Sequence, residues 1–108
     1  MPRKKMTDAM FDQVAQRFRV LSDPTRLRIL FHISAGELTV SDIIERTGGS
    51  QSNISKHLST LASQGLVNRR RQGTSVFYSV ADPSIFELCD QVCGGIERDL
   101  AARRSALG

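Results

Sequence analysis

The spacing of apolar and polar positions changes twice along the chain, dividing it into helical, strand-like and again helical stretches. Met10, Phe11, Val14, Phe18 and Leu21 recur at helical spacing and predict a first helix from about Asp8 to Leu21, with Thr7 as N-cap. In LSDPTRLRILFHI, Asp23 offers an N-cap and Pro24 fits the first helical position. Leu27, Leu30 and Phe31 supply an apolar face there, and Gly36 is placed to end the helix. In LTVSDIIERTGG, Thr39 and Asp42 have the spacing of a capping box, and Gly48-Gly49 makes a tight turn. Ser50 then caps QSNISKHLSTLASQ, where Ile54, Leu58, Leu61 and Ala62 share one face and which Gly65 stops. From Leu66 the period becomes two. Val76, Tyr78 and Val80 alternate and Gln72-Gly73 can turn the chain, so LVNRRRQGTSVFYSV reads as a β-hairpin with an arginine-rich tip. Asp82-Pro83 repeats the cap-plus-proline start, and a last helix follows to about Arg104.

Short helix, glycine turn and second helix are the sequence form of a helix-turn-helix. With the basic hairpin behind it, the expected fold is mainly α with a small β-hairpin, a winged helix-turn-helix, in one domain over residues 1–108. No internal repeat or low-complexity segment interrupts it. The last helix carries Ile85, Phe86, Leu88, Val92, Ile96 and Leu100, more apolar surface than a terminal helix needs. That surplus agrees with a dimer formed through this helix.

Charge narrows the function. The net charge is +4, but its placement matters more: no Asp or Glu stands between Glu45 and Asp82, a stretch holding Arg46, Lys56, Arg69, Arg70 and Arg71. A local basic patch of this kind favours a polyanion. With Ile54, Leu58 and Leu61 turned inward, Ser52, Ser55, Lys56 and Ser59 point outward, and Gln51 and Asn53 lie at the exposed helix start. Small polar side chains there suit a helix laid in the major groove, where Gln or Asn can pair with adenine. At the hairpin tip, Arg70, Arg71, Gly73 and Thr74 are expected beside the DNA backbone; alternation prevents Arg69, Arg70 and Arg71 from all facing one way. The same features read without DNA are a serine-rich solvent face and a solubilising edge. A winged-helix protein-interaction module is the competing class, and it has no need of an acid-free arginine hairpin. A two-fold dimer would set two recognition helices about 34 Å apart on double-stranded operator DNA with an inverted repeat.

An enzyme is not expected. His32 and His57 fall on separate helices without an acid or nucleophile partner, and no phosphate loop is present. His57 is read as a packing or flank residue. No apolar run is long enough to span a membrane, and the basic start MPRKKMTDAMF lacks the apolar core of a secretory signal. Two cysteines without such a signal point to a reducing cytoplasm.

LSDPTRLRIL, SQSNISKHLSTLASQGLV and the wing RRQGTSVFYSV resemble the ArsR/SmtB winged-helix repressors, over nearly the whole chain. The resemblance implies a homodimeric repressor that leaves its operon's DNA when an inducer binds, with the first and last helices as its dimer interface, here through Phe11, Val14, Phe18, Ile85, Cys89, Val92 and Ile96. It also implies sensor sites, and here the sequence departs from the family. Thr39 and Ser41 stand where many members carry a Cys-x-Cys metalloid site. Asp82 keeps the first position of the family's zinc site, but Ser84, Gly95 and Arg98 replace the other ligands, and one carboxylate cannot build a tetrahedral zinc site.

What remains is Cys89 and Cys93, four residues apart on the last helix. An intrahelical disulfide is disfavoured, since such neighbours have Cβ atoms about 5–6 Å apart where a disulfide wants about 3.8 Å. Gly94-Gly95 follows and makes the helix easier to deform. Two thiolates on one face can hold a soft inducer such as trivalent arsenic or antimony, arsenite or antimonite. A redox or sulfide/persulfide-responsive repressor would use the same pair, and plain packing at the dimer interface is the third reading. Glu87 and Asp90 flank Cys89 and would disfavour its thiolate.

Overall fold

Capping side chains set where most of the helices begin in the computed structural model, which describes residues 5–107. The first basic residues of the chain, Arg3 and Lys4, lie outside them. Helix α1 (Asp8–Leu21) opens on Thr7, whose hydroxyl accepts from the Met10 N–H at 3.2 Å. Helix α2 (Pro24–Ile33) opens on Asp23, whose carboxylate accepts from the Thr25 and Arg26 N–H groups at 2.8 and 3.1 Å. Strand β1 (Leu38–Thr39) leads into helix α3 (Val40–Thr47), where Thr39 and Asp42 form the reciprocal capping box. Gly48 closes α3 at φ 76°, a conformation that favours glycine, and Ser50 opens helix α4 (Gln51–Ser63). Strands β2 (Val67–Gln72) and β3 (Ser75–Val80) form the hairpin, and helix α5 (Ile85–Leu107) follows.

Some boundaries differ from the sequence reading. Helix α2 ends at Ile33, before Gly36, because the N–H and hydroxyl of Ser34 both donate to the Phe31 carbonyl and close the last turn. Its core face is Ile29, Leu30 and Ile33; Leu27 and Phe31, expected inside, are exposed. The hairpin turns at Gly73-Thr74 and not at Gln72-Gly73, because Gln72 still pairs with Ser75. Gly73 takes φ 62° at the first turn position, as a type II′ turn requires. Asp82 does not cap α5 directly. Its carboxylate accepts from the Ser84 N–H and hydroxyl in a local turn, and the helix starts at Ile85 and runs to Leu107. Strand β1 also adds a third strand: Leu38 pairs with Tyr78 and Thr39 with Phe77, giving an antiparallel sheet of order β1-β3-β2.

The core lies between these elements. Ile29, Leu30 and Ile33 of α2, Ile43 of α3, and Ile54, Leu58 and Leu61 of α4 are buried together with Leu66, Val67 and Tyr78 of the wing. Burying side chains of this size is worth about 1.5–3 kcal/mol each, so α4 is fixed in place by its apolar face while its polar face stays free. Helix α1 enters the core through Val20 and Leu21 at its end, and α5 through Ile85 at its start, with half-buried Phe86 packed against it.

Candidate nucleic-acid interface and cysteine groove

With Ile54, Leu58 and Leu61 each fully buried and Ala62 packed against the same core, the opposite face of α4 is turned outward. Gln51, Ser52, Asn53, Lys56 and Ser59 are exposed, and Ser55 is half-buried. The Ser50 hydroxyl accepts from the Asn53 N–H at 3.2 Å. The wing belongs to the same acid-free stretch of sequence, with Arg69 to Thr74 exposed.

Strand register divides the three arginines. Arg70 pairs with Phe77, whereas Arg69 and Arg71 pair with Tyr78 and Val76 on the opposite face. Arg70 is occupied: its Nε and Nη2 donate to Glu37 at 3.1 and 2.5 Å, its Nη1 donates to Gln72 at 2.8 Å, and its guanidinium lies 4.9 Å over the Phe77 ring. Neither Arg69 nor Arg71 has an ion-pair partner among the described residues. The sequence reading missed Glu37, which lies 33 positions from Arg70, beyond the reach of any local pattern.

Arg26 is a second residue it missed. Its Nε donates to the Val20 carbonyl at 2.6 Å, and its Nη1 lies 3.3 Å from His57 Nδ1. A guanidinium can only donate, so His57 accepts at Nδ1. This ties α4 to the junction of α1 and α2. The Asp23 carboxyl beside it is held below the usual carboxylate range, first by the Arg26 backbone N–H and then by that of Thr25.

The two cysteines are free and share one groove. It measures about 560 Å³ and is walled by Phe18 and Leu21 of α1, Leu27 of α2, and Leu88, Val92 and Ile96 of α5, with Cys89 and Cys93 in its lining. Cys89 is half-buried and Cys93 exposed. The Cys93 thiol donates to Glu97 at 3.6 Å, and the charge of that carboxylate, with help from Asp90, pushes its pKa above the ordinary thiol value. Among the described residues, no group of three or more His, Cys, Asp or Glu side chains stands together to hold a metal ion. Thr39 caps α3, and the Asp82 carboxylate accepts from Ser84 and pairs with Arg17 at 3.6 Å.

Of the residues expected at a dimer interface, Phe11, Val14, Phe18, Val92 and Ile96 are exposed. Ile85 is a correction: it is 5% exposed and belongs to the protomer's own core. Met10, Leu88 and Leu100 extend the exposed apolar surface. No helix among the described residues is long and apolar enough to cross a membrane.

Comparison with known proteins agrees with this geometry. Residues 23–69, from the α2 cap into β2, match the family described as "Bacterial regulatory protein, arsR family". The chain is 46% identical over 77 residues to the "Probable mercury resistance operon repressor" of Streptomyces lividans, covering 71% of this chain and 62% of that protein. The chain spans about three fifths of the length of the first curated relatives it matches. Among solved structures, the homodimeric winged helix-turn-helix DNA-binding domain Mb0332 of Mycobacterium bovis superposes with a TM-score of 0.73 at 33% identity, covering 88% of this chain and 91% of that one. The AntR antimony-specific transcriptional repressor superposes with a TM-score of 0.78 at 27% identity, covering 94% and 92%.

Proposed function

The chain belongs to the ArsR/SmtB family of winged-helix transcriptional regulators, and from that premise we propose that it is a homodimeric repressor released from operator DNA by a thiophilic inducer bound at Cys89 and Cys93. The observation that carries the DNA half is the division of α4. Three fully buried side chains anchor the helix, and its opposite face presents Gln51, Ser52, Asn53, Lys56 and Ser59. In the proposed complex this face reads base edges in the major groove, while Arg71, Gly73 and Thr74 at the wing tip track the backbone.

The surface that α1 and α5 leave uncovered supports the dimer. Phe11, Phe18, Val92 and Ile96 are each more than half exposed. The radius of gyration is 16.9 Å, where a self-contained domain of this length has about 13 Å. A second copy laid against α1 and α5 covers the apolar surface and pairs the recognition helices on an inverted repeat.

The inducer is the finer part of the proposal. Two thiols on one helical face, in an apolar groove, suit a soft centre such as trivalent arsenic or antimony. A redox sensor is less suited, because sensor thiols have depressed pKa values and Glu97 drives Cys93 the other way. One protomer supplies two sulfurs, so a three-coordinate metalloid takes its third ligand from outside the protomer. The trihydroxide form of arsenite or antimonite would lose two hydroxyls, which leave as water with the Cys89 and Cys93 thiol protons; this breaks the Cys93 bond to Glu97 and repacks α5 where the dimer meets. The test is fluorescence anisotropy of the reduced protein on a labelled duplex from upstream of its own gene, with and without arsenite or antimonite. Release that is lost in Cys89→Ser and Cys93→Ser is expected. Binding that no thiophile disturbs would refute the inducer assignment and leave the DNA-binding one standing.

A further inference from the structure

Glu37 stands one residue before β1, on the face of the sheet that carries Phe77 and Arg70. Its two carboxylate oxygens take Nε and Nη2 of Arg70 separately, at 3.1 and 2.5 Å. This fork is the geometry in which a guanidinium receives a phosphate. Both side chains remain accessible, Arg70 at 49% and Glu37 at 40%. The pair is therefore on the surface, in the wing, and on the only one of the three consecutive arginines that has an acid partner among the described residues. An exposed ion pair contributes little to folding, so stability does not account for it.

We propose that Glu37 acts as an internal competitor for DNA phosphate, holding Arg70 out of the set of cations that the wing offers to the duplex. The inference rests on the DNA-binding reading above. In it, the wing's phosphate contact comes from Arg71, or from Arg69 on the same face, while Arg70 spends its donors on Glu37 and Gln72. Glu37 thereby sets the affinity below what the sequence RRR would give. It also fixes how Arg70 lies across Phe77, which keeps the tip of the hairpin braced against β1.

The experiment is a salt titration of duplex binding by anisotropy, on the upstream fragment named above, for the full chain and for Glu37→Gln, Arg70→Ala and the double variant. Glutamine keeps the shape of Glu37 and removes the charge that holds the guanidinium. One added phosphate contact steepens the dependence of log affinity on log salt by about 0.9. The proposed dimer has two wings, so Glu37→Gln adds two such contacts; it is expected to bind more tightly, with an advantage that narrows about twelvefold between about 50 and 200 mM salt. Arg70→Ala alone should leave the slope close to that of the unchanged chain, and in the double variant the steepening should vanish. Weaker binding by Glu37→Gln would overturn the proposal, since it would make Glu37 a support for a DNA-contacting Arg70. Equal tightening with and without Arg70 would also overturn it, by reducing Glu37 to a general charge. If the unchanged chain shows no salt-dependent binding, the DNA-binding reading fails, and this inference with it. Thermal unfolding of each variant, expected near that of the unchanged chain, shows that the slopes compare folded proteins.

Discussion

Adding one methyl group at Gly49 probes the corner of the helix-turn-helix. A Cβ built there would stand 2.8 Å from Ile54 Cδ1 and 2.9 Å from Cγ1, where carbon atoms normally rest about 3.5–4.0 Å apart. Ile54 is fully buried on α4 and has no space to retreat into, so the helix or its side chain must shift. Overpacking of this kind costs about 1–3 kcal/mol. For a chain of this size each kcal/mol lowers the melting midpoint by about 4 °C, so Gly49→Ala should melt roughly 4–12 °C below the unchanged chain. The neighbouring glycine offers a control with a different cause. A Cβ at Gly48 meets no atom within 4 Å, but its φ is 76°, which costs a residue such as alanine about 1–2 kcal/mol. Ile54→Val removes the nearer clashing atom. It should recover part of the loss in Gly49→Ala and none in Gly48→Ala, so that only the first pair is non-additive. Urea unfolding at a fixed protein concentration measures this, since a dimer's midpoint depends on concentration. Anisotropy on the upstream duplex should show Gly49→Ala binding more weakly, because the displaced residue belongs to the recognition helix. If Gly49→Ala unfolds like the unchanged chain, or if the Ile54→Val combination is strictly additive, the steric account is wrong.

Val92→Asp combined with Ile96→Asp places charge on two exposed apolar positions of α5 and should give a monomer by sedimentation with helix content retained; a dimer that survives would remove α5 from the interface. Asp23→Ala should cost about 1 kcal/mol at neutral pH through the lost α2 cap. The Asp23 pKa is lowered on folding, so its stabilisation is present above the ordinary carboxylate value and lost as pH falls through the lower folded value. Unfolding curves of the two proteins should therefore converge in strong acid and not at alkaline pH. Arg26→Ala breaks the bonds to the Val20 carbonyl and His57 and should cost about 1–3 kcal/mol of stability. Its DNA affinity should fall without a change in salt slope, because Arg26 is not proposed to touch phosphate; a shallower slope would make it a DNA contact.

What the sequence disclosed was local. Thr7, Asp23, Thr39 and Ser50 cap helices within three residues of themselves, and each does so where its spacing predicted. The face of α4 was legible because Ile54, Leu58 and Leu61 stand among polar neighbours and fit one helical phase. The face of α2 was not, because Leu27, Ile29, Leu30, Phe31 and Ile33 fill several phases, and only packing against α3 and α4 selects Ile29, Leu30 and Ile33. Ile85 was misplaced for a related reason: an apolar residue opening a helix has the same appearance whether it meets its own core or another chain. The bonds of Arg70 to Glu37 and of Arg26 to His57 span 33 and 31 positions, and β1 has two residues, too few to show a period. In the wing, alternation correctly separated the arginines, yet only the fold revealed which of them has an acid beside it.

The arrangement of the groove gives the proposed release a physical route. Leu21 and Ser22, at the end of α1, line the same groove as Cys89 and Cys93. The Val20 carbonyl, one residue before Leu21, holds Arg26, and Arg26 reaches His57 in the middle of α4. A soft ligand on the two sulfurs therefore acts on α5 within a few side chains of the bond that anchors the recognition helix. The coupling needed is about 1–3 kcal/mol, comparable to one charged hydrogen bond made or lost in such a contact. No large movement is required in this account. In a dimer each protomer contributes one recognition helix, so a small rotation of α5 across the two-fold axis changes the separation of both helices together. DNA with fixed half-site spacing tolerates little of that change. The groove's apolar walls and the exposed faces of α1 and α5 then belong to one device, in which the inducer and the partner chain compete to set how α5 packs.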